Sequence, residues 1–143
     1  MVSLPAGTIY LFGISAFLAG LHNLLSPQTA ILTFDLPVTA IPAMNGNSLA
    51  AIAMGIYYTL AAYQENDVFF ALTVPMRLLS TAVFWSQSRG LSAGQSESES
   101  AGAQAWMLAA AWEGGGAVLT AAALVWTWRV SKATATIAGS KKE

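Results

Sequence analysis

Residues Val68–Trp85 have the sequence VFFALTVPMRLLSTAVFW, an apolar run with one charged residue, Arg77, near its middle. A second apolar run, Ala103–Trp128, carries one acid, Glu113, at a similar depth. A membrane-spanning helix needs about 20 predominantly apolar residues, so both runs are long enough to cross a bilayer. Because hydrocarbon does not solvate charge, an ionisable side chain inside such a run indicates a functional site.

The composition of the whole chain also points to a membrane. Of its 143 residues, 55% are hydrophobic and only 9% are charged, whereas soluble domains carry about 25% charged residues. The net charge of -1 gives no basic surface for nucleic acid. The chain has no cysteine and a single histidine, His22, which excludes disulfides and argues against a zinc site. We therefore predict an integral membrane protein and expect neither a metal nor a cofactor.

Four apolar segments qualify as spans, so we predict an all-α, integral membrane four-helix bundle that forms one domain over residues 1–143. The predicted spans are about residues 4–25, 46–63, 68–86 and 103–129, and residues 28–47 and 86–102 are predicted to be loops. Only Gln64–Asp67 separates the second span from the third, which forces an antiparallel hairpin. Asn66 or Asp67 can cap the third helix.

The basic residues set the expected orientation. Four of the six come after Trp128, at or beyond the end of the last span, namely Arg129, Lys132, Lys141 and Lys142. The positive-inside rule places this tail, residues 130–143, in the cytosol, and an even number of spans places the N-terminus there too. We expect the protein in the endoplasmic reticulum membrane, surrounded by lipid. Small residues along the fourth span permit a homodimer without requiring one.

Arg77 and Glu113 are predicted to face each other near the bilayer midplane. At about 1.5 Å per residue, Arg77 lies roughly 14 Å from one end of its span, and Glu113 lies roughly 15 Å from the opposite end of its own. Asp35, in the first long loop, is the third candidate. Two carboxyl groups in unlike surroundings beside an arginine suit acid–base catalysis, such as epoxide opening or isomerisation. A buried ion pair that only fixes helix packing would give the same pattern.

A second set of polar residues is predicted to bind substrate, and it comprises His22, Asn45, Asn47, Tyr57 and Tyr58. The histidine and the two asparagines lie on the same side of the membrane as Asp35. We expect the loop 28–47 to fold over a cavity whose floor is the Arg77–Glu113 pair. The two tyrosines lie deep in the second span, where a phenol needs a hydrogen-bond partner. We expect one of them to face Arg77 and the other to face lipid or another helix.

Several short motifs point to a known kind of protein. They are Pro27, Phe34-Asp35-Leu36-Pro37, Gly55-Ile56-Tyr57-Tyr58, Tyr63-Gln64-Glu65-Asn66, Val74-Pro75-Met76-Arg77 and Trp112-Glu113-Gly114. Together, over about Gly13 to Trp126, they resemble small four-span fungal membrane proteins encoded beside polyketide or terpenoid pathway enzymes. The likeness is to the membrane epoxide hydrolases of the aurovertin and citreoviridin pathways.

That resemblance implies an epoxide hydrolase or cyclase that opens epoxides on a lipophilic polyene (pyrone) polyketide in secondary-metabolite biosynthesis. It implies acid–base catalysis without metal by Glu113, Arg77 and Asp35, and a flavin monooxygenase of the same pathway as a partner. Two alternatives stay open. One is a membrane isomerase or terpenoid cyclase with the same pocket. The other is a non-catalytic small-molecule-binding membrane protein in which the charged pair only holds helices together.

Overall fold

The fold is all-helical in the part of the chain that the structure describes. A computed structural model describes residues 2–34, 36–92 and 97–140, with side-chain surroundings for 2–34, 36–90 and 103–134. The helices are α1 (Leu4–Leu25), α2 (Pro27–Thr33), α3 (Ile41–Tyr63), α4 (Asp67–Ser92) and α5 (Glu97–Ser140), and a single 3-10 turn, Val38–Ala40, leads into α3. This confirms the all-α prediction.

Three stretches of helix in the described part of the chain are long and apolar enough to cross a membrane: Leu4–Leu25, Asp67–Gly90 and Ala103–Thr134. Helix α3 has 23 residues but is not among them. Its first half carries Asn45 and Asn47, and two adjacent tyrosines follow, all of which lower its mean hydropathy. The structure therefore agrees with a membrane protein and gives three candidate spans where the sequence predicted four.

Several polar side chains are buried, whereas many large apolar side chains are exposed. Arg77 is only 2% exposed, whereas its neighbours Met76 and Leu79 are 61% and 59% exposed. Thr73 and Thr120 are also buried. Polar groups inside and large apolar side chains outside suit a surface that contacts lipid rather than water.

Helices α1 and α3 pack against each other in antiparallel directions. Gly13 of α1 lies against Gly55 of α3, whereas Gly20, two turns further along α1, lies against Ser48, earlier in α3. Glycine at these crossings lets the two backbones approach closely.

Helices α4 and α5 form a second antiparallel pair, which α1 joins. The rings of Phe84 and Trp106 lie 5.2 Å apart between α4 and α5. The hydroxyls of Thr8 in α1 and Thr120 in α5 lie 3.1 Å apart. The chain order and these contacts make the four long helices alternate in direction.

The start of α1 is tied to the turn between α3 and α4. Glu65 has a positive φ of 50°, and its carboxylate accepts hydrogen bonds from the Ser3 hydroxyl and from the Ser3 N–H, the latter at 2.8 Å. These bonds hold the pKa of Glu65 below its usual range. Ser3 also caps α1 by accepting from the Ala6 N–H. Asn66 Oδ1 accepts from the Phe69 N–H at 3.0 Å, which confirms the predicted cap of the third long helix.

The helices extend beyond the predicted spans at the second loop. Residues 86–102 were predicted to be a loop, but α4 runs to Ser92 and α5 begins at Glu97. The hydroxyls of Ser86 and Ser88 donate to the carbonyls of Val83 and Trp85. Serines that bond back to their own helix do not end it. At the other end, α5 continues to Ser140, through most of the predicted tail.

The first predicted loop, residues 28–47, is also largely helical. It contains most of α2 and the 3-10 turn, and α3 begins at Ile41, ahead of the predicted start at residue 46. Pro42 falls in the first turn of α3. Proline is tolerated there because its missing N–H has no partner within the helix at that position.

Candidate functional site

A cavity of about 240 Å³ lies between α1, α4 and α5, about midway along the bundle. Its lining residues are Thr8, Leu11, Phe12, Arg77, Ala111, Trp112, Gly115, Gly116 and Leu119. Most of this wall is apolar. A largely apolar cavity with a few polar groups is the usual form of a small-molecule site.

The guanidinium of Arg77 lies against aromatic rings. Its Cζ is 3.5 Å from the centroid of the Phe12 ring and 5.2 Å from that of Tyr58. Phe12 in turn stacks on Trp112, with ring centroids 5.9 Å apart and an interplanar angle of 23°. Cation–π contact offsets part of the cost of burying this charge.

Two nitrogens of the same guanidinium have no hydrogen-bond partner among the described residues. They are Nε and Nη2, and both are buried. An arginine stays protonated at any physiological pH, so the charge remains in the bundle. A buried, unpaired cation is strongly unfavourable, and within an apolar helix long enough to span a membrane it makes Arg77 a candidate functional residue.

Consecutive glycines of α5 shape the wall opposite Arg77. A Cβ at Gly116 would collide with Arg77 Nη1, whereas a Cβ at Gly115 would meet nothing within 4 Å. At Gly114 it would lie 3.2 Å from the methyl group of Thr81. Gly116 therefore leaves room for the guanidinium, and Gly115 leaves space at the cavity.

Glu113 is half-buried on the same helix and lies within electrostatic range of Arg77. Among the described residues, no hydrogen bond or salt bridge joins the two side chains. Glu113 is also not among the residues that line the cavity. The structure thus places the two predicted charges near each other without direct contact.

The two tyrosines divide as the sequence analysis expected. Tyr58 faces Arg77 and packs edge-on against Phe69, with ring centroids 5.2 Å apart. Tyr57 is 64% exposed on the outer surface of the bundle. Only Tyr58 is therefore placed to influence Arg77.

The remaining predicted residues lie elsewhere. Asp35 is outside the described residues. His22 is exposed in the last turn of α1, about 15 Å further along the helix than Phe12 at the usual rise per residue. Neither His22, Asn45 nor Asn47 lines the Arg77 cavity. That cavity is therefore not closed by these three residues.

Asn47 contributes to a second cavity, of about 350 Å³. Its other lining residues are Phe34, Leu36, Met44, Phe84, Ala105, Trp106 and Ala109. Within the predicted polar set, Asn47 therefore belongs to a different place in the bundle from Arg77, whereas Tyr58 faces Arg77.

Sequence reasoning missed the part of the site that α1 supplies. Thr8 and Phe12 are four residues apart and so share one face of α1, and Trp112 completes the aromatic contact from α5. The run Gly114–Gly116 was the one available signal, because small residues permit close approach or leave a cleft.

Comparison of the chain with known protein families, with characterised proteins and with solved structures finds no match. The resemblance to membrane epoxide hydrolases therefore stays a prediction. The geometry around Arg77 is the basis for interpreting function.

Proposed function

We propose that this chain is a four-span integral membrane protein that binds the oxygen-bearing part of a lipophilic small molecule in the Arg77 cavity. One observation carries the proposal. A permanently charged side chain is buried at a mostly apolar cavity with two nitrogen donors unpaired. Donors of this kind are satisfied when an oxygen acceptor enters the cavity and the side chain of Arg77 turns to meet it.

We propose α3 as the fourth span. Its 23 residues are one more than the 22 of the candidate span Leu4–Leu25, and at about 1.5 Å per residue they can cross the bilayer core. Its glycine Gly55 packs closely against α1. With four spans, the Ser3–Glu65 contact and the end of α5 beyond Arg129 lie on one side of the membrane. We propose that this side is cytosolic and that the membrane is the endoplasmic reticulum, because the basic residues follow the last span.

The reaction that we propose is the opening of an epoxide, by hydrolysis or by cyclisation. Arg77 donates hydrogen bonds to the epoxide oxygen and stabilises the negative charge that develops as the carbon–oxygen bond breaks. The oxygen of water, or of a substrate hydroxyl, forms the new bond to carbon and loses its proton. The alkoxide left on the other carbon gains a proton that the protonated base returns, so hydrolysis yields a diol and regenerates the base.

Glu113 is the proposed base in this scheme. It lies outside the cavity wall and close enough to Arg77 for electrostatic coupling. It therefore accepts the proton through a bridging water molecule, which is a common arrangement in active sites. Asp35 stays a candidate for the second carboxyl group.

Turnover of a simple lipophilic epoxide in ¹⁸O-labelled water tests this reaction. We expect the membrane-inserted protein to convert 1,2-epoxydecane to a labelled diol. Glu113→Gln and Arg77→Ala should each lower the rate by about 100-fold or more, the usual contribution of acid–base and electrostatic groups. Arg129→Ala, which removes an exposed arginine of α5, is the matched control and should leave the rate unchanged. Wild-type rates in both site variants would refute the mechanism.

Binding without catalysis is the second candidate, and one observation favours it. No carboxylate belongs to the described residues that line the cavity. On this alternative, the protein binds the epoxide but forms neither diol nor cyclic ether. If Arg77 and Glu113 only hold helices together, the reversed pair Arg77→Glu with Glu113→Arg would also retain binding, which a catalytic site would not tolerate. An unlabelled, rearranged product would instead indicate the isomerase or cyclase.

A further inference from the structure

The unpaired nitrogens of Arg77 belong to one edge of its guanidinium. In the fixed geometry of this group, Nε–H and one Nη2–H point in the same direction and form a fork. Both atoms of this edge lack partners. The third nitrogen, Nη1, lies against Gly116.

The flat face of the guanidinium is occupied. The Phe12 ring covers one face of it at 3.5 Å, and the free edge is buried, so a ligand meets that edge in the plane of the group once the side chain has turned towards the cavity. Two parallel N–H donors match two oxygens held in one plane at a fixed spacing. A carboxylate has this geometry, and the pair with arginine is commonly bidentate.

Charge favours the same ligand. The guanidinium is permanently cationic, and no described acid forms a salt bridge with it. Arg77 lies ten residues beyond the start of α4 at Asp67, or roughly 15 Å along the helix. Lipid headgroups stay at the membrane surface, so an anion at this depth is a free acid rather than a headgroup.

The dimensions of the cavity limit the part of the ligand that lies inside it. A cavity of about 150 Å³ lined by apolar side chains holds one benzene molecule, and this one has about 240 Å³. One ring and a short alkyl chain therefore fit between Leu11, Leu119 and Trp112. Since Nε and Nη2 are shut off from solvent, the side chain of Arg77 must turn within the cavity to meet the ligand.

We infer that the Arg77 cavity selects lipophilic carboxylic acids, bound as carboxylates on the Nε–Nη2 edge. This inference rests on the proposed small-molecule function of the cavity and specifies the substrate class. The epoxide substrate is accordingly a lipophilic acid that carries its epoxide close to the carboxylate, where Nη1, the remaining donor of Arg77, meets the epoxide oxygen.

The test compares two ligands of the same shape, 4-butylbenzoate and its neutral amide, 4-butylbenzamide. Calorimetric titration of the full chain in a nonionic detergent at neutral pH measures both affinities. We expect the carboxylate to bind at least about tenfold more tightly, since hydrogen bonds to charged groups are the stronger kind. Arg77→Ala should abolish this preference, and Arg77→Lys, which keeps the charge without the fork, should retain only part of it. Arg129→Ala should keep it in full.

Equal affinities for the two ligands, or a preference that survives Arg77→Ala, would overturn the inference. So would the absence of binding by either ligand. The neutral epoxide assay is a separate measurement. Diol formation together with equal affinities would leave the proposed function standing and remove only the carboxylate. Carboxylate preference without diol formation would support the carboxylate inference and remove the proposed epoxide reaction.

Discussion

Glycines have opposite effects on packing at the two interfaces of helix α1, one with α3 and one with α5. Towards α3, a Cβ at Gly20 would lie 2.6 Å from the Ser48 carbonyl oxygen, and one at Gly55 would lie 2.6 Å from Phe17 Cβ. Towards α5, a Cβ at Gly115 would meet no atom within 4 Å. Glycine closes the first interface by letting backbones touch, and it opens the second by leaving a cavity.

This difference makes the α1–α3 interface a rigid support and leaves the α1–α5 interface as the candidate site. Backbones in close contact across α1 and α3 leave no freedom to shift, since packed interiors respond to even one added methyl group. The α1–α5 side keeps space, and the guanidinium of Arg77 occupies part of it. A stripe of small residues is thus evidence of close packing or of a cleft, and only the neighbouring helix decides which.

The largest expected effect is on the closed interface. Gly55→Ala would press its new methyl group against the Phe17 backbone N and the Gly13 carbonyl oxygen, each 2.7 Å away. Overpacking of this kind costs about 1–3 kcal/mol in the free energy of unfolding. Gly46→Ala, on the same helix with nothing within 4 Å, is the control and should gain up to about 1 kcal/mol from helix propensity.

Denaturation of both variants in mixed detergent micelles measures the difference. If Gly55→Ala were as stable as Gly46→Ala, α1 and α3 would not be in backbone contact. The proposal of α3 as a span would then lose its main support.

Substitutions on the open side, where α1 faces α5, should affect stability less and should affect binding selectively. Gly116→Ala displaces Nη1, the far end of a flexible side chain, so it should cost no more than about 1 kcal/mol of stability, the low end for overpacking. It should reduce the preference for 4-butylbenzoate over its amide, because the guanidinium moves. Gly115→Ala only narrows the cavity and should weaken both ligands equally. A loss of preference in Gly115→Ala, or none in Gly116→Ala, would show that Gly116 does not position the guanidinium.

The sequence predicted the long helices because apolar runs and a four-residue connection limit the topology strongly. It did not predict where helices α4 and α5 end. Serine and glycine composition suggested a loop at 86–102, whereas Ser86 and Ser88 bond back to preceding carbonyls and continue α4. Composition indicates which residues tolerate a loop, but the competing hydrogen bonds are visible only in the structure.

The sequence predicted how far along their helices Arg77 and Glu113 lie. It did not predict which way their side chains point around those helices. Rise per residue places Arg77 and Glu113 at matching depth from the sequence alone. At 3.6 residues per turn, however, Glu113 points about 60° away from Gly116 around α5, and Gly116 is the residue against Arg77. Helix packing, which no single segment encodes, decides which face of α5 meets α4. It also decides that Phe12 of α1 covers the guanidinium.

Removing the hydroxyl contact between α1 and α5 should have a modest effect on the free energy of unfolding. Thr8 donates to the Pro5 carbonyl, so it accepts from Thr120, 3.1 Å away. Thr8→Val should cost about 0.6 kcal/mol in the free energy of unfolding, the average for hydrogen bonds between membrane helices. Thr33→Val removes a hydroxyl that bonds only within its own helix and should cost less. A loss as large as that of Gly55→Ala would mean that the open side is packed as tightly as the closed side.

The smallest effect is expected where α1 meets the α3–α4 turn, because Ser3 and Glu65 are in contact with solvent. The hydrogen bonds from Ser3 lower the pKa of Glu65, so the folded state favours the carboxylate. This stabilisation is complete above the unfolded pKa, about 4.3 for glutamate, and is lost as the pH falls through the lower folded pKa. Ser3→Ala should therefore reduce the difference in stability between pH 7 and acidic pH. Glu65→Gly should remove the same pH dependence while relieving the positive φ. Unchanged pH dependence in both variants would show that the contact does not hold α1 to the turn.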